Sequence, residues 1–170
     1  MNVLKKIGSI FLDIVIVLLV LVIILNVIFI SGKDDKKLPS LFGYKFLVDL
    51  TDSMKPVITP GDLIVIKSAD EYKMGDIISY RNKKNEIITH RITRIVKDKN
   101  GNEVYHLKGD NNNTEDRYKV KKEEIEGKLY KHYHKIGTFL LFLKSIYGIV
   151  FLLMLVFCYM TFLIIKEKYF

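Results

Sequence analysis

The sequence predicts a mainly β domain, residues 39–137, set between two membrane-spanning helices. Three observations predict it. Residues 7–30 and 145–165 are almost unbroken apolar runs in a chain of 170 residues that is 49% hydrophobic. Between them, residues 31–135 intersperse 22 Lys plus Arg with 17 Asp plus Glu, as an ordinary solvated surface does. Its apolar residues fall in short β-branched runs separated by Gly, Pro, Asn and Asp, without amphipathic helical periodicity. The length excludes a large multidomain enzyme and a Rossmann-sized cofactor domain.

Residues 1–6, with Lys5 and Lys6, form a short basic N-terminal segment. Residues 7–30 then supply the roughly 20 apolar residues that a bilayer core about 30 Å thick requires. From Ile14 to Ile30 only Asn26 interrupts the run, and Asp13 sits at its edge. No small-x-small site follows Ile30, so the segment reads as an anchor helix and not as a cleavable leader. Residues 31–38, including the charged 33–37, form a juxtamembrane linker. The β domain is expected over 39–137. Within it, Leu63–Lys67 (LIVIK) follows the turn signal Pro60-Gly61-Asp62, and 76–80 follows Met74-Gly75 in the same way. Residues 86–96 alternate, with Ile88, His90, Ile92 and Val96 on one face and Thr89, Arg91 and Thr93 on the other. Asn100-Gly101 turns the chain into a hairpin partner over 103–108. Residues 110–117 (DNNNTEDR) read as a polar loop, and 126–130 as the last strand. The second span, 145–165, carries no charge and leads to a short tail, 166–170, with Lys166 and Lys168. Two spans place both tails on one side. The lysines do not say which, because the positive-inside rule covers loops up to roughly 60 residues.

The net charge of +8 raises the question of nucleic acid. Both signs are mixed and no recognition motif accompanies them, so no nucleic-acid partner is expected. Cys158, the single cysteine, lies in the second span, which removes any intramolecular disulfide and the usual thiol or zinc set. His132 and His134 offer two ligands without a third nearby, so no metal is expected. No phosphate loop or dinucleotide motif is present, and no cofactor is expected either.

Four residues have the chemistry of a hydrolase when taken together. Ser53 alone reads as a turn serine, His90 as a histidine on the apolar face of a strand, and Asp110 and Asp116 as loop acids making Asx turns. A serine hydroxyl becomes a nucleophile when an imidazole takes its proton and a carboxylate fixes the imidazole tautomer. All three parts are present, in the order serine, histidine, aspartate.

Five ordered blocks carry a family resemblance: Ser53-Met54-x-Pro56, Pro60-Gly61-Asp62-Leu63, Gly75-Asp76-Ile77, Thr89-His90-Arg91, and Lys108-Gly109-Asp110-Asn111-Asn112 with Asp116-Arg117. Over residues 39–137 the chain resembles type I signal peptidases, in the branch shared by the endoplasmic reticulum, archaea and some Gram-positive bacteria. The resemblance implies a small signal-peptidase-like β catalytic domain flanked by two transmembrane helices. It implies Ser53 as nucleophile and His90 as general base, where the classical bacterial branch has lysine. Asp116 matches the acid usually assigned as the third triad member, and Asp110 matches a second acid sometimes given that role. The oxyanion hole would use the Ser53 N–H and the Thr51 hydroxyl. Asp52 departs from the family's usual glycine and Lys55 from its usual glutamate. Apolar residues such as Leu50, Ile64 and Ile88 would line pockets for small substrate side chains. The resemblance further implies a multi-pass protein of the cytoplasmic membrane, with the domain outside and both tails in the cytoplasm. Its partners would be secretory preproteins, the lipid bilayer and the protein-export machinery. The rival expectation is a catalytically degenerate two-span scaffold that binds exported proteins without cutting them.

Overall fold

In the computed structural model, residues 7, 8, 10, 11, 13–18, 38 and 40–169 are described. They belong to two units, Gly32–Phe139 and, separately, Met1–Ser31 with Leu140–Phe170.

The first unit is one sheet of eight strands: β1 Ser40–Leu41, β2 Tyr44–Val48, β3 Leu63–Lys67, β4 Ile77–Arg81, β5 Ile87–Lys97, β6 Glu103–Lys108, β7 Val120–Lys121 and β8 Ile125–Tyr133. Their spatial order is β1-β2-β3-β8-β4-β5-β6-β7, and every neighbouring pair is antiparallel. The strand expected over 63–67 is found there, and β4 and β5 lie one residue beyond their expected ranges. The Asn100-Gly101 hairpin is present. Gly101 adopts φ +83, and Asp98 Oδ1 accepts the N–H groups of Asn100 and Asn102. β1 and β2 were not expected as strands. Phe42 and Gly43, both at positive φ, form the two-residue turn that joins them.

One expectation within β5 is corrected. The pairing of β5 with β6 shifts between Ile92 and Arg94, leaving Thr93 as an extra residue. A bulge of this kind exchanges the two faces of the strand beyond it. Ile95 therefore packs against the core, and Val96, expected inward with His90 and Ile92, is exposed.

Successive side chains of a strand face opposite sides, and here both sides are apolar. Ile78 and Tyr80 of β4 join a cluster with Ile92, Tyr105 and Leu107, while Ile77 joins Met54, Ile58, Ile64 and Ile66 in a second. This double coverage explains why β3 and β4 read as continuous apolar runs rather than alternating ones. Each side chain of this size contributes about 1.5–3 kcal/mol when fully buried.

Asp62 ties three parts of the unit together and is itself 1% exposed. Its carboxylate accepts from the Thr59 N–H and hydroxyl, each at 3.0 Å, and from the Lys135 N–H at 3.1 Å, with His134 Nδ1 at 3.0 Å. Its backbone carbonyl accepts the Asp49 N–H, and the Asp49 carbonyl accepts the Gly61 N–H. The end of β2, the start of β3 and the end of β8 are thereby fixed to one another. Burial raises the Asp62 carboxyl, but the hydrogen bonds from Thr59 and Lys135, with His134 alongside, outweigh it and lower the group from 3.8 to about 2.

Two helices follow, α1 Ile136–Lys144 and α2 Ile146–Tyr169. The residues of the expected span 145–165 are helical from Ile146 onward, and a helix not foreseen over 136–144 precedes them. Ser145 explains the break. Its hydroxyl oxygen accepts the Gly148 N–H as an N-cap while its O–H donates to the Phe142 carbonyl. Among the described residues no single helix is long and apolar enough to cross a membrane, whereas Ile136–Lys144 and Ile146–Phe162, bent by 76°, pass that test as a pair. The described residues of the expected first span are helical, and residues 19–30 of it lie outside the described residues, as does the linker 31–37. Tyr159 of α2 donates its hydroxyl to the Gly8 carbonyl and packs its ring 4.3 Å from Phe11.

Candidate active site

Ser53 sits in the turn after β2, and its neighbour Met54 anchors that turn. Met54 is fully buried in the cluster with Ile58, Ile64 and Ile66, and its carbonyl accepts the Ile58 N–H. The Ser53 carbonyl accepts the Asn111 N–H at 2.8 Å, which binds the turn to the loop after β6. Gly109 makes this approach possible, because a Cβ there would lie 2.6 Å from the Ser53 oxygen. Among the described residues no acceptor takes the Ser53 N–H, which leaves it free for a developing oxyanion.

His90 lies in the middle of β5, opposite Ile78 of β4, and is 7% exposed. Its Nδ1 is 2.6 Å from Asp116 Oδ2. A carboxylate at Nδ1 makes that nitrogen the N–H donor and leaves Nε2 as the acceptor, the form a general base requires. Tyr80 donates its hydroxyl to the same Asp116 oxygen at 3.1 Å. Burial first, then the charge of Asp116, raises the Tyr80 phenol, so it remains a donor. Tyr80 was not foreseen in the site. Its place two residues from Ile78, the partner of His90, was the available signal, since such positions share a face.

The structure separates the two candidate acids. Asp110 is gripped by Arg91 through two hydrogen bonds, Nε to Oδ1 at 2.7 Å and Nη2 to Oδ2 at 2.6 Å. Arg91 also donates to the Gly75 carbonyl at 2.8 Å. These bonds to Asp110 raise the Arg91 guanidinium further, although burial opposes them. Asp110 therefore holds the loop that carries Asn111, while Asp116 holds His90.

Ser53 and His90 line one cavity of about 420 Å³ together with Leu47–Thr51, Ile64, Ile87–Thr89 and Asn112. Leu50, Ile64 and Ile88, expected as pocket residues, are all in this lining. β2 and β5 are four strand positions apart, about 19 Å in a flat sheet, so the sheet must curl to bring them around one cavity. No hydrogen bond joins Ser53 to His90 among the described residues. Ser53 Oγ lies instead 3.0 Å from Thr51 Oγ1. Catalytic contacts of this kind are often long before substrate is bound. Asp52, beside the serine, is exposed and paired with Lys55 at 2.7 Å, so the two departures from the family pattern are joined in one ion pair. His132 and His134 flank Asp62, with Nδ1 at 3.6 Å and 3.0 Å from its carboxylate oxygens.

Comparison with known proteins agrees with the resemblance seen in the motifs. The Peptidase S24-like family model matches residues 44–130, from the start of β2 into β8. The chain belongs to that family. It is 32% identical over 113 residues to Signal peptidase I W of Bacillus subtilis, covering 65% of this chain and 59% of the relative. It is 38% identical over 72 residues to the signal peptidase complex catalytic subunit SEC11 of Eremothecium gossypii, covering 41% of this chain and 43% of that protein. The match thus spans about half the length of these curated relatives. Both are signal peptidases by name, which supports the type I signal peptidase resemblance. The matched stretch contains Ser53, His90, Asp110 and Asp116.

Proposed function

We propose that the chain is a membrane-bound serine endopeptidase that removes signal peptides from exported preproteins at the outer face of the cytoplasmic membrane. The observation that carries this reading is that Ser53 and His90 line one cavity while Asp116 holds His90 Nδ1 at 2.6 Å. Ser53 Oγ attacks the scissile carbonyl, and His90 Nε2 takes its proton. The oxyanion is met by the Ser53 N–H and the Thr51 hydroxyl. One such donor contributes about 3–4 kcal/mol to the transition state. His90 then gives the proton to the leaving amine, which departs as the mature protein's N-terminus. Water attacks the acyl ester with His90 again as base, releasing the signal peptide and regenerating Ser53. Asp116 steadies the imidazolium formed in each half-reaction.

The names of the relatives support the substrate class, and the α1–α2 pair supports a membrane setting. The lining by Leu47, Val48, Leu50, Ile64, Ile87 and Ile88 suits small apolar side chains at the first and third positions before the cut. The test uses the purified full chain in detergent and a preprotein with alanine at both positions. Mass spectrometry should find one cut after the first of them, and leucine or phenylalanine at either position should lower kcat/KM by about 100-fold. Equal cleavage of the alanine substrate and its leucine and phenylalanine variants would contradict this reading of the cavity.

A further inference from the structure

Thr51 Oγ1 has two partners, and their chemistry fixes how the hydrogens run. It lies 3.3 Å from Asp49 Oδ1 and 3.0 Å from Ser53 Oγ. A carboxylate accepts and gives no hydrogen, so the Thr51 O–H donates to Asp49. Thr51 then offers only lone pairs to Ser53, and the Ser53 O–H donates to Thr51. The Thr51 N–H adds a bond to the same Asp49 oxygen at 3.2 Å, which holds the arrangement in place. Asp49 Oδ2 is buried without a hydrogen-bond partner among the described residues.

This direction opposes catalysis twice. The proton that His90 must accept points at Thr51, and the Thr51 hydroxyl, engaged by Asp49, does not point at an oxyanion. We propose that Asp49 is a positioning residue that acts through Thr51 to hold the Ser53 hydroxyl in a resting orientation, which an extended substrate in the cavity must release. Asp49, Thr51 and Ser53 all line that cavity, so a chain lying there meets each of them. The alternation Asp49-x-Thr51-x-Ser53 is the sequence trace of the device. The inference rests on Ser53 being the nucleophile.

A double-mutant cycle on the full chain in detergent tests it, with the alanine-containing preprotein as probe and single-turnover kcat, KM and Tm as readouts. Asp49→Val removes the acceptor and should raise kcat about tenfold, the low end for a hydrogen bond to a charged group, with KM unchanged. In a Thr51→Val background the same change should leave kcat unaltered, because the pathway through Thr51 is gone. A purely structural role for Asp49 would lower Tm and activity alike in both backgrounds. Should Asp49→Val fold poorly, Asp49→Ala removes the same acceptor and carries the same expectation. A kcat that is unchanged or lower in a well-folded Asp49 variant overturns the inference, as does an equal rise in the Thr51→Val background. Ser53→Ala runs alongside. Cleavage that survives it removes the nucleophile itself, whereas loss of cleavage with indifferent Asp49 variants removes only the restraint.

Discussion

Asp116→Asn should lower kcat by about four orders of magnitude while leaving the domain folded. The size follows from the geometry at His90. With a carboxylate 2.6 Å away, Nδ1 keeps its hydrogen, and in the proposed mechanism Nε2 is left to accept the serine proton. An amide in that place can turn its NH₂ toward Nδ1, which moves the hydrogen to Nε2 and removes the base. It also removes the charge that steadies the imidazolium during proton transfer. Tyr80 meets the same atom, and its hydroxyl oxygen can accept from the amide NH₂ instead of donating, so the packing around the site survives. Asp110→Asn gives the opposite signature. It weakens the paired hydrogen bonds from Arg91 and loosens the loop whose Asn111 N–H holds the Ser53 carbonyl. The Tm should fall, and kcat should fall by roughly 10–100-fold, the scale for a displaced reacting group. Steady-state kinetics with a melting curve on each variant decide the matter. If Asp110→Asn alone abolished cleavage, the assignment of Asp116 to His90 would be wrong.

The second large effect concerns stability. Asp62→Asn should cost about 3 kcal/mol, because charge-assisted hydrogen bonds are lost and an amide hydrogen then faces the N–H donors of Thr59 and Lys135. For a domain of this size the Tm should fall by roughly 10–20 °C. The pH dependence carries the same information. The folded-state value of Asp62, about 2, lies below its ordinary 3.8. Its contribution, about 2 kcal/mol, is therefore complete above pH 4 and is lost as pH falls from about 4 toward 2. Chemical denaturation of the wild type across that range should show the loss, and Asp62→Asn should flatten this part of the curve. Identical slopes in the two proteins would mean that Asp62 does not carry the acid sensitivity.

Local signals made the strands legible where they were strong. Leu63–Lys67 follows a Pro-Gly-Asp turn, and Asn-Gly closes the β5–β6 hairpin; both needed only neighbouring residues to be read. What stayed hidden depends on distant partners. β8 inserts between β3 and β4, a placement that no local pattern encodes. The bulge at Thr93 exchanges faces in β5, so simple alternation placed Val96 inward where the structure places Ile95. Tyr44–Val48 is half-buried along its whole length, which blurs the period of two. In the candidate site, the motif blocks name Ser53 and His90, and the cavity they share depends on the curl of the sheet. The choice between Asp110 and Asp116 turned on a loop conformation. It has a simple physical reading in retrospect, since Arg91 and His90 are adjacent strand residues facing opposite sides, and each takes one acid.

The most direct measurement of the central claim is processing of a co-expressed secretory precursor by the full chain in cells lacking any other signal peptidase. Wild-type protein should yield mature product whose new N-terminus follows the small residue at the cut site. Ser53→Ala at equal expression should leave the precursor uncut. Processing by Ser53→Ala at the wild-type rate would rule out Ser53 as the nucleophile.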